Sequence, residues 1–328
     1  MTEAILDVVK NEDFMTLHGY MSNAGYEDVR QTIAESLNKR FGTNFSFKNL
    51  IMTVGAASGL NIILKSILNP GDEVIVFAPY FVEYNAYVRN YDGNVVVISP
   101  DTETFMPKLD EFEAKITAKT KAVIINNPNN PTGRLIADDL LEEILRICRE
   151  KNIALFVDEC FLSLSDGGVD LTPSLSDFPQ LFILKAFTKS FGMAGLRLGY
   201  GLSADEALLR KMSAAVPPWN VSTLAQAAGV AALGDAEFLE KNRTIIRAER
   251  PWLEEKLRKF GFWVCPSQVN YILFRGDVGL TEQLRARGVA IRDCANFEGL
   301  TSGWYRVAVR QYEENEQLIA AIRSVGKE

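Results

Sequence analysis

The sequence predicts an α/β protein: a large unit with a mostly parallel sheet sandwiched by helices, then a smaller α+β unit at the C-terminus. Three observations predict it. Strand-like runs rich in Val, Ile and Phe alternate with helical stretches up to residue 187, a helix-rich pattern follows Tyr200, and strands and helices resume near residue 269. Short apolar strands bounded by turns and separated by helices read as βαβ units covered on both faces. At about 150 residues per domain, the 328 residues allow two domains.

In residues 26–41, Val29, Ile33 and Leu37 recur at helical spacing opposite charged positions, which predicts an amphipathic helix. A second helix follows Gly55, runs through LNIILKSIL and stops at Asn69, Pro70 and Gly71, where proline and glycine turn the chain. Then come a strand in EVIVFAP, a strand in GNVVVISP, a helix in PKLDEFEAKI, a strand in KAVIINNP and a helix in DDLLEEILRICREK. Strands in IALFVDE and LFILKAF complete the alternation. Residues 205–260 read as helical, with a kink or break expected at Pro251 because proline lacks the N–H that a helix interior uses. Strand-like VNYILF, helix-like LTEQLRARG, strand-like YRVAVR and a closing helix in EENEQLIAAIRSV form the smaller unit. The expected division is residues 1–205, connecting helices in 206–245, and residues 246–328.

Apolar residues make up 47% and charged residues 23%, an ordinary globular mix. A formal net charge of −7 disfavours a broad electrostatic footprint for nucleic acid or anionic lipid, so any anionic ligand needs a local site. One histidine, His18, and four scattered cysteines leave no multi-ligand metal site and no CxxC pair to expect. The N-terminal stretch mixes acids with apolar residues, unlike a signal peptide, and no apolar run approaches the roughly 18 residues of a membrane span. A cytoplasmic location is expected, where thiols stay reduced.

Five segments carry chemistry. Lys189, in FTKSFGMAGLRLGY, follows an apolar strand, with Arg197 eight residues downstream. A lysine at a buried strand end is costly to desolvate as a cation, which frees the neutral amine as a nucleophile, although an isolated lysine is more often an exposed loop residue. The run from Asn126 to Gly133, NNPNNPTG, forces a tight loop at another strand end, where open parallel sheets bind ligands. Asp158 and Glu159 end a third strand; a lone Asp there is commonly a helix cap, but it also suits a buried cationic ring nitrogen. TVGAASGL leads small residues into a helix N-terminus, an anion site that is neither GxGxxG nor a Walker loop. Tyr80 and Phe81, after Pro79, are candidates to stack on a planar ligand or to fill core.

In this order the five motifs resemble the pyridoxal-phosphate enzymes of fold type I, the class I and II aminotransferase superfamily, over nearly the whole chain. Residues 1 to about 133, with LHGYMSNAGYEDVR and NPGDEVIVFAPYFVEYNAYV, are most similar to aspartate-type enzymes. The remainder, with PPWNVSTLAQAAG, IRDCANFEGL and YRVAVR, is more similar to the histidinol-phosphate aminotransferase and threonine-phosphate decarboxylase branch. A change of flavour at a shared motif is what recombination of two related genes would leave. The resemblance implies transamination between an amino acid and a 2-oxo acid through a lysine Schiff base with pyridoxal 5′-phosphate. The alternatives are decarboxylation of an amino acid such as threonine phosphate, and a catalytically impaired protein of the same fold.

It further implies roles, residue by residue. Lys189 bonds the cofactor aldehyde and shuttles a proton, and Asp158 keeps the ring nitrogen protonated. Asn130 bonds the ring hydroxyl and borders the substrate carboxylate, while Phe81 stacks on the ring. Ala56 and Ala57 offer backbone N–H groups to the phosphate, joined by Thr188 and Arg197. Tyr20 reaches the phosphate of a partner subunit, so a homodimer with shared active sites is implied. Arg306 grips the substrate carboxylate, and Arg292 and Arg310 are candidates for a substrate phosphate. Two departures stand out: Phe161 replaces a frequent tyrosine donor to the cofactor's ring oxygen, and Ala186 replaces a frequent hydroxyl. Tyr20 also lies earlier than its counterpart in relatives, which implies a shortened N-terminal arm.

Overall fold

The alternation of apolar and polar runs resolves into thirteen α-helices and two sheets among the residues described by the computed structural model, which are 1–325 without the side chains of Phe14 and Thr16. The chain opens with α1 (Thr2–Asn11), α2 (Phe14–His18) and α3 (Glu27–Phe41). Next come β1 (Leu50–Thr53), α4 (Ala56–Ile67), β2 (Glu73–Phe77), α5 (Tyr84–Arg89), β3 (Asn94–Ile98) and α6 (Leu109–Ala114). They lead into β4 (Thr120–Asn126), α7 (Asp138–Glu150), β5 (Ala154–Asp158), β6 (Leu181–Ala186), the one-turn α8 (Phe187–Ser190) and β7 (Gly199–Leu202).

These seven strands form one sheet in the order β1-β7-β6-β5-β4-β2-β3. All run the same way except β7, which is antiparallel to both neighbours. Side chains alternate across the sheet as strand geometry requires: Val76, Ile124, Phe156 and Leu184 face one core layer, and Ile75, Ile125, Val157 and Ile183 the other. The second layer rests on α3, whose Val29, Ile33 and Leu37 are buried as their spacing predicts.

After β7 follow α9 (Glu206–Ala215), α10 (Thr223–Leu233) and the long α11 (Ala236–Lys259). The smaller unit contains β8 (Trp263–Val264), β9 (Tyr271–Arg275), α12 (Leu280–Arg285), β10 (Arg292–Asp293), β11 (Trp304–Ala308) and α13 (Tyr312–Val325). Its antiparallel sheet has the order β10-β11-β9-β8 and a core built on Leu253, Ile272, Phe274 and Ile319.

Pro251 does not break the helix, contrary to expectation. It lies inside α11, which continues on both sides. Pro251 and Arg247 are both exposed, so water can satisfy the Arg247 carbonyl that proline leaves without its partner. Besides the two-residue β8 and β10 of the smaller sheet, two strands of the large sheet were not foreseen: β1 and β7 span four residues each, and β7 is half glycine. They are short, but all eight residues are buried, which holds them in the sheet despite weak patterning.

Candidate active site

The C-terminal ends of β1, β4, β5 and β6 share one edge of the large sheet, and a cavity of about 280 Å³ opens there. Ala56, Ala57, Phe81, Asn130, Asp158, Phe161, Thr188, Lys189, Arg197 and Arg306, all expected at the site, line it together with Ala186.

The phosphate-type end is built first. Gly55 precedes α4 with φ 90°, and no side chain hydrogen bond caps that helix, so the N–H groups of its first turn point out with the positive end of the dipole. Arg197 spans the same place: Nη2 donates to the Val54 carbonyl at 3.0 Å and Nη1 to Ala194 at 3.2 Å. A Cβ at Gly55 would lie 2.9 Å from Arg197 Nη2, so the guanidinium approaches because residue 55 has no side chain.

The opposite wall is acidic and buried. Asp158 accepts from the Tyr84 hydroxyl at 3.1 Å and from the Cys160 backbone N–H at 3.1 Å. Among the described residues no cationic side chain forms an ion pair with it. Burial pushes its carboxyl up from the ordinary range, while its hydrogen bonds and the charge of Lys189 pull the other way. Burial and the nearby Asp158 likewise push the Tyr84 hydroxyl well up, so it remains a donor. A buried carboxylate with two neutral donors and no countercharge suits a protonated ring nitrogen. With the anion cradle at the other end and Phe81 also lining the cavity, the donor set fits pyridoxal 5′-phosphate.

The asparagine-rich loop divides its labour. Asn126 Oδ1 accepts from the Asn130 N–H at 2.7 Å, Asn127 Oδ1 from Ile136 N–H at 2.9 Å, and Asn129 donates to the Pro79 carbonyl at 2.8 Å. Three of the four asparagines therefore build the turn, and Asn126 also lines the cavity beside Asn130. Asn130 Oδ1 accepts from Arg306 of β11. The same loop docks the smaller unit: the Tyr271 hydroxyl donates to the Asn129 carbonyl at 2.8 Å, and Gln268 Oε1 accepts from Leu135 N–H at 2.9 Å. Arg306 is thus not a solvent-facing strand residue, and its guanidinium also lies 5.1 Å from the centroid of the Tyr271 ring.

Several expectations need correction. Lys189 is exposed rather than buried, with its ammonium 5.5 Å from the Phe161 ring centroid. Tyr80 is core: it is buried and donates to Asn85 at 2.8 Å, whereas Phe81 lines the cavity. Arg292 is absent from this cavity. It is exposed and lines a neighbouring one of about 470 Å³ with Arg310, which is paired with Glu314 at 2.7 Å. The two cavities share Phe161, Lys189 and Arg306. Tyr20 is 85% exposed and stacks on Trp219 at 4.3 Å, away from the cavity of its own chain.

Sequence reasoning missed Tyr84, Tyr87 and Cys160, which line the cavity. Tyr84 had a signal: it lies three residues after Phe81, the spacing that brings side chains onto one face where a helix begins.

A family model described as aminotransferase class I and II matches residues 1–322. A histidinol-phosphate aminotransferase of Archaeoglobus fulgidus is 33% identical over 315 residues, covering 95% of this chain and 92% of its own, so one relative spans both sides of residue 133. A threonine-phosphate decarboxylase of Salmonella typhimurium is 35% identical over 227 residues, 66% of this chain and 60% of its own. Among solved structures, a double mutant of the Thermus thermophilus aspartate aminotransferase matches with a TM-score of 0.86 at 29% identity, covering 98% of this chain and 87% of that one.

Proposed function

From the premise that the chain belongs to the class I and II aminotransferases, enzymes that use pyridoxal 5′-phosphate, we propose that Lys189, Asp158, Asn130 and Arg306 transfer an amino group from an α-amino acid to a 2-oxo acid. One observation carries this assignment: a buried carboxylate without a cation faces the same cavity as an accessible lysine amine and a guanidinium tied to Asn130.

Pyridoxal 5′-phosphate supplies an aldehyde that links to amines and a ring that takes up the electron pair left when a bond at Cα breaks. The protein's residues do the rest. The N-terminus of α4, Thr188 and Arg197 would hold the phosphate. Asp158 would hold a proton on the ring nitrogen, which would keep the ring electron-withdrawing, and Phe81 would pack against it. Asn130 and Arg306 orient the substrate carboxylate, and that fixes which Cα bond faces Lys189. The amine of Lys189 would then take up the Cα proton and give it back, acting as base and then acid. The exposure of Lys189 suits a side chain that must swing between two atoms.

The neighbouring cavity takes the distal part of the substrate, and Arg292 there suits an anionic group such as a phosphate. The second reading, decarboxylation, has the Salmonella relative in its favour. Incubation with amino acids and 2-oxo acids separates the two. Appearance of the pyridoxamine form without CO₂ supports transfer; CO₂ without pyridoxamine overturns it.

All four cysteines are free and buried, which supports a reducing, cytoplasmic setting. No described helix is long and apolar enough to cross a membrane. Exposed Met15, Tyr20 and Trp219 support the reading of a homodimer in which Tyr20 serves the partner's phosphate site.

Two variants test the assignments. Arg306→Lys loses the forked geometry and is expected to raise KM for the amino acid about 10- to 100-fold with a smaller change in kcat. Steady-state kinetics check it; an unchanged KM removes Arg306 from the carboxylate site. Gly55→Ala places a methyl against Arg197 at a positive φ, and the Kd for pyridoxal 5′-phosphate is expected to rise about tenfold in equilibrium dialysis. Unaltered affinity would move the phosphate elsewhere.

A further inference from the structure

Behind the site, on the face of the sheet opposite Asp158, lies an ionic cluster that the chemistry above does not use. Glu159 follows Asp158 and points to the other face, where its Oε2 meets Lys185 Nζ at 2.5 Å. Lys185 also reaches Asp170 at 2.8 Å. The Glu159 side chain is 1% exposed and that of Lys185 15%. Each charged partner sits beside a reacting group: Glu159 is one residue past Asp158, and Lys185 is four residues before Lys189. The backbone joins them again, with the Glu159 N–H donating to the Leu184 carbonyl at 3.0 Å.

We infer that Glu159 is a positioning residue for the cofactor site: through its ion pair with Lys185 it holds the strand ends bearing Asp158 and Lys189 in register. The inference rests on the function proposed above. It adds that the cofactor is gripped more tightly when Glu159 is ionised than when it is protonated.

Two carboxylates share one ammonium, so the fully ionised cluster carries a net negative charge on side chains largely withdrawn from the surface. A proton relieves that charge, and the less exposed carboxyl takes it. Burial pushes Glu159 up to about 7, against the pull of Lys185 and with the push of Asp170. Asp170 is held below its ordinary value despite burial, because Lys185 and Thr172 favour its ionised form. Burial works against the Lys185 cation, yet the two carboxylates keep it charged. The other groups facing the cluster are Tyr200 of β7, Arg40 of α3 and, across a cavity of about 480 Å³, Asp235, Glu240 and Arg243. That cavity reaches Ala186, Phe187 and Ser190, the segment that carries Lys189, so protons gain access to the cluster without crossing the active site. The Ser190 hydroxyl contacts that of Ser163, and Arg243 Nε donates to the Ser163 carbonyl at 2.8 Å, which ties the same segment to α11.

The test is equilibrium dialysis of the holoenzyme against pyridoxal 5′-phosphate between pH 5.5 and 8.5, with melting curves to confirm folding. Glu159→Gln, which cannot ionise, is expected to bind the cofactor about tenfold more weakly than wild type near pH 8 and equally near pH 6. Asp170→Asn leaves Lys185 to Glu159 alone, so the pH midpoint of the wild-type affinity change is expected to move lower. A purely structural pair would change melting temperature and leave both affinity profiles alike, and that result overturns the inference. If Glu159→Gln does not fold, an unmoved midpoint in Asp170→Asn overturns it instead. A wild type that takes up no cofactor defeats the functional assignment itself, a result distinct from normal uptake with unaltered variants.

Discussion

Lys189→Ala is expected to lower amino transfer by at least about 10⁴-fold while the cofactor still binds, now without a covalent link. The size of the effect follows from the lack of a substitute. Lys189 is the sole lysine among the described residues lining the cavity. The other groups that could move a proton are poorly suited: burial pushes the Tyr84 hydroxyl and the Cys160 thiol well above their ordinary values, and both stay protonated near neutrality. In the proposed mechanism one nitrogen serves as both nucleophile and base, so its removal would take away two functions together. Borohydride reduction followed by mass spectrometry checks the covalent link, and single-turnover absorbance checks the proton transfer. A variant that still fixes the cofactor covalently would show that another amine does this work.

Asp158→Asn is expected to reduce kcat by about 10³-fold, because a neutral amide cannot hold the ring nitrogen in its charged form. The structure allows the experiment to be clean. Asp158 accepts two hydrogen bonds, from Tyr84 and from the Cys160 N–H. An asparagine can keep the second through its carbonyl oxygen, while the Tyr84 hydroxyl rotates to accept from the new amide. The fold should survive, so a melting temperature close to wild type together with the kinetic loss would locate the effect in the charge. Full activity in a folded Asp158→Asn protein would remove the carboxylate from the mechanism.

The chemistry was more legible in the sequence than the architecture around it. Lys189, Asp158 and Asn130 stand at strand ends beside prolines, glycines or small residues, and such punctuation marks loops at the ligand-binding edge of a parallel sheet. Arg306 was legible only through its YRVAVR context, because nothing local to β11 says that the strand docks on a loop 176 residues earlier. Tyr84 and Cys160 were missed for a related reason: a buried tyrosine and a buried thiol look like core until the acid beside them is placed. The misreading of Lys189 as buried came from extrapolating the apolar character of β6 beyond its end; the chain leaves the sheet at Ala186, and α8 turns the amine outward. The alternation of Asp158 and Glu159 across the sheet was implicit in the period of two along β5. Their division between the cavity and an ionic cluster became visible only with Lys185 and Asp170 in place.

The one reversed strand in the large sheet has a consequence for how the enzyme is made. β1, which delivers the chain to Gly55 and the α4 N-terminus, lies at the sheet edge and, among the described residues, pairs only with β7, Leu50 against Leu202. During synthesis the phosphate cradle must wait for some 150 further residues, on the order of ten seconds at ordinary ribosomal speed. Until then β1 is an unpaired apolar segment on the nascent chain. Slowing translation just before β7 should therefore lengthen the time this segment is available to chaperones or to misassembly, without altering a single contact in the finished protein.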